Sequence, residues 1–252
     1  MYHAVGRPVQ TPQDTFLNVS EESFRKQMRV LNRLGYRARR FEEVVEALHS
    51  GRSLPPRTFA ATFDDAYSCV LECAAPILSE LRFTATVFAV SNWSHPFRSA
   101  NERPEGLPLQ VMDWEALKTL QTQGWEVGGH TRTHVHLDEL EDSAAFEEIL
   151  QGKLECEASL DTPLTSFCFP FGHLNSNTVA LVQKAGFRGA CTVRSGVARK
   201  ETDPYLIPRV KIGYRDGVYG LLYRMLVRPN LPTFRSDRRS EQIKNVSGKA
   251  EE

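Results

Sequence analysis

Thr58-Phe59-Ala60-Ala61-Thr62-Phe63-Asp64-Asp65-Ala66-Tyr67 runs from an apolar segment of strand length straight into two adjacent carboxylates. An unbroken apolar run after Pro55-Pro56 reads as a strand covered on both faces, which is the situation of a parallel sheet. Neighbouring carboxylates raise each other's pKa unless a cation or hydrogen-bond donors compensate. A solvated turn, with Asp capping the next helix, accounts for such a pair by itself. In a parallel β/α architecture, however, residues just past a strand's C-terminal end face the functional rim.

Strand and helix signals alternate on both sides of this stretch. Upstream, Phe24, Met28, Leu31 and Leu34 share one face of a helix predicted over residues 21–34, with Ser20 as N-cap and Gly35 past the end. Phe41, Val44, Val45 and Leu48 stripe a second helix that stops near Gly51. Downstream, a helix at 69–81 leads to a strand at 84–90, and a polar, Pro-rich loop covers 91–111. Helices at 113–121, 143–160 and 176–185 then precede strands at 124–128, 166–169 and 188–193. A last strand at 206–212 carries Pro208, which argues for an edge or rim position. Val218, Leu221, Leu222, Met225 and Leu226 line a final amphipathic helix.

This order implies parallel pairing with helices outside. Five interior strands are clear, and Met1 to Val5 reads as the tail of another, so six or seven strands would close imperfectly. The expected fold is a single α/β domain over residues 1–232. Residues 233–252 are polar, charged and aperiodic, and are predicted to form a disordered tail.

The 252 residues suffice for one full-sized core. Lysine plus arginine and aspartate plus glutamate each number 31, so the chain lacks the basic excess expected of a nucleic-acid or anionic-membrane partner. No apolar run approaches the roughly 18 residues a transmembrane helix needs. Met1-Tyr2-His3-Ala4-Val5-Gly6 has no basic start followed by an apolar stretch, so the chain as given shows no secretory signal. A cytoplasmic location is therefore expected unless the N-terminus is truncated. The five cysteines are odd in number and unpaired in pattern, and read as reduced, mostly buried residues.

Two further segments follow predicted strands. Gly128-Gly129-His130-Thr131-Arg132-Thr133-His134-Val135-His136 spaces two histidines four apart, so a helical turn would put His130 and His134 on one side at metal-ligand reach. Gly128 and Gly129 allow close backbone approach. His136, two residues beyond His134, would point elsewhere on such a turn and reads as a bystander; a surface His-rich loop remains the plainer explanation of the segment. Phe167-Cys168-Phe169-Pro170-Phe171-Gly172-His173 suits a groove wall, and its Phe171 N–H could serve an oxyanion. Aromatic side chains near a strand are also ordinary core. Gathered on one rim, a carboxylate and two imidazoles make a site for Zn²⁺, Fe²⁺, Co²⁺ or Ni²⁺, and the spare carboxylate becomes a natural general base.

TFDDAY, HTRTH and FCFPFG, in this order and with these gaps, resemble the motifs of the polysaccharide deacetylase family, the NodB-homology or carbohydrate esterase family 4 enzymes. The resemblance extends from Tyr2 to about Arg228. It implies a distorted (β/α)7 barrel, TIM-like in plan, that hydrolyses N-acetyl groups on an N-acetylglucosamine-containing glycan. It further implies Asp64 as catalytic base, Asp65, His130 and His134 as ligands of a divalent metal, zinc first among them, and Phe171 with Tyr67 at the oxyanion and substrate.

Three departures from the family pattern stand out. Ala66 occupies a position where many members have Gly. Cys168 stands where many carry an Arg that orients the base, and Arg209 is the candidate replacement. No His follows His173, so the late Leu-x-His segment is missing. The Tyr2-His3 opening resembles the poly-N-acetylglucosamine branch, which points to His3 as general acid. The motifs leave two alternatives open: hydrolysis of another C–N bond, in a small amide or acetylated metabolite, and a catalytically inactive glycan-binding barrel.

Overall fold

The computed structural model describes residues 1–6, 18–92 and 110–230. Most of the loop predicted at 91–111 and the whole tail at 233–252 lie outside the described residues. The elements in chain order begin with β1 (Ala4–Val5), β2 (Asn18–Val19), α1 (Glu21–Arg33), β3 (Arg37–Ala38), α2 (Phe41–His49), β4 (Thr58–Phe59) and β5 (Thr62–Phe63). A π-helical turn, Val70–Ala74, runs into α3 (Ala75–Glu80), followed by β6 (Thr86–Ala89), α4 (Trp114–Thr122), β7 (Glu126–Gly129) and α5 (Asp142–Leu160). β8 (Ser166–Cys168), α6 (Ser176–Lys184), β9 (Gly189–Ser195), β10 (Ile207–Arg209) and α7 (Val218–Leu222) complete the order.

β5, β6, β7, β8, β9 and β10 form one sheet in that sequence, with every neighbour parallel. Residues Met1 to His3 supply a further stave. Tyr2 bridges Phe63 in parallel, donating to the Thr62 carbonyl at 2.8 Å and accepting from Asp64 N–H at 3.0 Å. On its other side, Ile212 N–H donates to the Met1 carbonyl at 3.1 Å and Met1 N to the Val210 carbonyl at 2.9 Å. The chain start thus joins the two edges of the six-stranded sheet, which gives the distorted (β/α)7 barrel. Pro208 sits at the sheet-edge strand, where its missing N–H is tolerated.

Alternation along the strands sorts the two sides of the wall. Phe63, Val87, Val127, Phe167 and Ala190 join the large cluster made with helix residues such as Phe24, Met28, Ile77, Leu120 and Ile149. Their neighbours Phe88, Cys168, Cys191 and Ile207 instead form a smaller buried cluster with Phe41, Val44 and Val45 of α2. α2 is held at the N-terminal ends of the strands: Phe41 N–H donates to Thr86 Oγ1 at 2.8 Å and Glu42 N–H to Glu126 Oε2 at 2.9 Å. Gly128 makes room for Phe88, because a Cβ there would lie 2.6 Å from the ring.

The expected Ser20 cap is present, accepting from Ser23 N–H at 3.2 Å, and Gly35 follows α1 at φ +75°. Three readings need correction. The run 58–63 is two strands, β4 pairing with β3 and β5 with β6, divided at Ala60-Ala61. The first half of the helix read at 69–81 is π-helical. The final helix also loosens, from α7 into a π-helical turn at Tyr223–Val227. Among the described residues, no helix is long and apolar enough to cross a membrane.

Candidate active site

The acidic pair follows β5 directly, and the backbone separates its two members. Asp64 donates its N–H to the Tyr2 carbonyl, whereas Asp65 and Ala66 both adopt left-handed conformations, at φ +68° and +51°. A glycine would adopt this turn without strain; Ala66 makes it at a cost of about 1 kcal/mol. The kink sends the carboxylates to different partners.

Asp64 is buried and meets Arg209 through two short bonds, Nη1 to Oδ1 at 2.6 Å and Nη2 to Oδ2 at 2.7 Å. Arg209 is equally enclosed, and also donates to the Thr192 carbonyl at 3.0 Å, Thr62 Oγ1 at 3.2 Å and Cys168 Sγ at 3.2 Å. The guanidinium therefore lies against the Cys168 side chain, with the fork geometry that suits a carboxylate. Burial by itself raises the Asp64 pKa, but the charge and hydrogen bonds of Arg209 overcome it and lower the value to about 2. His3 Nε2 stands 3.9 Å from Asp64 Oδ2. Desolvation lowers the His3 pKa, against the opposing pull of Asp65 and Asp64.

Asp65 Oδ1 lies 3.3 Å from His130 Nε2 and 3.2 Å from His134 Nε2, and all three residues are buried. The histidines are not on a helix, so that reading is corrected: Thr131 and His134 are left-handed, at φ +64° and +56°, and this compact loop turns both rings inward. His134 N–H is tied to Thr131 Oγ1 at 3.0 Å. His130 Nδ1 lies 2.7 Å from the Cys168 carbonyl, which can only accept, so Nδ1 carries a proton and Nε2 is the ring nitrogen that faces Asp65. Burial opposes ionisation of Asp65, yet hydrogen bonds from His130 and His134 hold its pKa well below the ordinary carboxylate range. Two imidazole nitrogens and a carboxylate oxygen, oriented from behind and converging within 4.8 Å, fit a borderline divalent cation.

Phe171 borders this cluster, its ring centroid 4.6 Å from that of His134, on a left-handed residue at φ +56°. Gly172 follows at φ +71°, where a Cβ would run into Val193. His136, read as a bystander, is in fact stacked flat on Phe171, with centroids 4.0 Å apart and planes at 5°. Tyr67, expected at the substrate, is instead fully enclosed, and its hydroxyl is buried without a hydrogen-bond partner among the described residues. Sequence reading missed Thr62, Thr192 and Thr131 as partners of the site. Thr62 and Thr192 announce themselves only through their contacts with Arg209 in the folded barrel, and Thr131 only through the left-handed loop that brings His134 N–H onto it.

Residues 51–190 match the family model described as polysaccharide deacetylase. The Bacillus subtilis (strain 168) protein YxkH, which bears a polysaccharide deacetylase name, is 22% identical over 212 residues, spanning 84% of this chain and 70% of that protein. A poly-beta-1,6-N-acetyl-D-glucosamine N-deacetylase of Staphylococcus aureus (strain MRSA252) is 20% identical over 204 residues, spanning 77% and 68%. The structure of the Streptococcus pyogenes deacetylase PplD, in complex with acetate, superposes with a TM-score of 0.77 at 22% identity, covering 89% of this chain and 95% of that one. The barrel is therefore shared, and the chain belongs to the polysaccharide deacetylase family.

Proposed function

We propose that this protein is a divalent-metal-dependent hydrolase that removes N-acetyl groups from an N-acetylglucosamine-containing glycan and releases acetate. The observation that carries the reading is the juxtaposition of the Asp64–Arg209 ion pair with the Asp65–His130–His134 cluster on one barrel rim. The names of the Staphylococcus relative and of the acetate-bound Streptococcus neighbour support the choice of substrate.

Asp65, His130 and His134 hold the ion, with zinc as first choice and cobalt, nickel or iron sharing its donor preference. When bound, such an ion polarises the acetyl carbonyl and makes water acidic enough to attack it near neutral pH. Asp64 accepts the proton of the attacking water. Arg209 keeps that carboxylate ionised and fixes its orientation, which also makes it a weak base that releases the proton readily. His3, neutral at rest because it is desolvated, stands 3.9 Å away to take the proton onward. It delivers the proton to the departing amine nitrogen as the C–N bond breaks, leaving a free amine and acetate. The Phe171 N–H serves the developing oxyanion.

The test is acetate release from poly-β-1,6-N-acetylglucosamine fragments and chitooligosaccharides, with and without chelator. Activity is expected on a glycan, abolished by chelation and restored by zinc. Asp64→Asn is expected to retain metal and lose turnover, whereas His134→Ala loses both. Full metal content in His134→Ala would overturn the ligand set, and acetate release confined to small amides would overturn the substrate.

A further inference from the structure

We propose that His136, Asp138 and His173 form a second divalent-cation site, separate from the buried cluster and open to solvent. Their ligand atoms lie within 4.8 Å of one another, with His136 half-buried and Asp138 and His173 exposed. The two Nδ1 atoms are 3.2 Å apart, and His173 Nδ1 is 3.8 Å from Asp138 Oδ1. Two imidazoles meeting nitrogen to nitrogen need a shared proton or a cation between them. The carboxylate beside them favours a cation, and the donor set suits Zn²⁺, Ni²⁺ or Cu²⁺ with water completing the shell.

The three side chains are held in place by short-range structure. His136 and Asp138 flank buried Leu137 at a 3₁₀ turn closed by Glu139 N–H to the His136 carbonyl at 3.2 Å. His173 ends the 3₁₀ turn Pro170–Gly172, its N–H donating to the Pro170 carbonyl at 3.2 Å. The His136 ring is fixed by its stack on Phe171. A site on such pre-set turns loses little side-chain freedom on binding. Phe171 separates it from the inner cluster, touching His134 on one side and His136 on the other.

The inference needs only the outer residues and does not rest on the deacetylase reading. Full-length protein, stripped with chelator, is titrated with zinc by calorimetry, and bound metal is measured after gel filtration in buffered zinc. Wild type is expected to take one more equivalent than His173→Ala or His136→Ala, and His134→Ala to keep the outer ion while losing the inner one. In His134→Ala loaded with Cu²⁺, the paramagnetic resonance spectrum is expected to show hyperfine splitting from two nitrogens, reduced to that of one nitrogen when His173→Gln is added. Unchanged metal-free melting of the His173 variants checks that they fold. If a His136→Ala/His173→Ala variant binds as many ions as wild type, the outer site does not exist. Failure of the inner site alone would show instead as stoichiometry insensitive to His134→Ala but still lowered by His173→Ala.

Discussion

Arg209→Met tests whether the buried ion pair is the strut of the site. Both partners are nearly excluded from solvent, and the pair is bidentate at 2.6 and 2.7 Å. Lowering the Asp64 pKa from 3.8 to about 2 corresponds to about 2 kcal/mol at neutral pH. Removing the guanidinium forfeits that and leaves an uncompensated carboxylate in the barrel, so the total cost is about 3–5 kcal/mol. The sign with pH follows. Because the folded pKa is depressed, the wild-type contribution is complete above the ordinary carboxylate value and disappears as pH falls from about 4 toward about 2. The variant's deficit should therefore be largest near pH 7 and shrink in acid. Urea unfolding in the presence of chelator, at pH 7 and at pH 3, measures it without contribution from bound metal. Asp64→Asn in the Arg209→Met background should recover much of the loss, because no charge is then stranded. A single variant within 1 kcal/mol of wild type at pH 7, or a double variant no better than the single, would refute the reasoning.

His3→Gln is expected to lower kcat for acetate release by about 10²-fold or more while metal content stays at the wild-type level, since His3 is outside the ligand cluster; assays of turnover and metal on one preparation decide it. Gly128→Ala should destabilise by about 1–3 kcal/mol, read as a lower melting temperature, because its Cβ would meet Phe88 at 2.6 Å and the Ser166 carbonyl at 2.9 Å. Glu126 is buried among the N-terminal strand ends, and desolvation raises its pKa, so ionising it costs stability as pH rises past the ordinary value of about 4.5. Glu126→Gln, which can still accept from Glu42 N–H and Thr86, should match wild type in acid and melt higher at pH 7.

The strand ends were legible because they carry two signals at once. An apolar run stops, and a residue of chemical consequence follows it, as at Phe63-Asp64 and at Gly129-His130. Parallel pairing then brings those ends to one rim whatever the intervening helices do, so Asp65 and His130 could be placed near each other without knowing any loop. What joins them at hydrogen-bond range is different in kind. His134 reaches Asp65 because Thr131 and His134 itself turn left-handed, a conformation no periodicity reports and one that residues other than glycine rarely adopt. The helical spacing argument put His130 and His134 side by side, as they are, but on a regular turn that the backbone does not form. β3 and β4 are two residues each, too short for an alternation to register. The Arg209–Asp64 contact spans 145 positions and was suggested by resemblance, not by any local pattern.

The missed stack of His136 on Phe171 shows how far one wrong local geometry propagates. On a helix, a residue two positions past His134 faces away; in the observed loop it returns to the same aromatic wall. The spacing that set His136 aside thus assumed the regular backbone that the left-handed residues abolish. Once that assumption goes, the three histidines of the segment divide between two clusters: His130 and His134 close on Asp65, and His136, stacked on Phe171, meets His173.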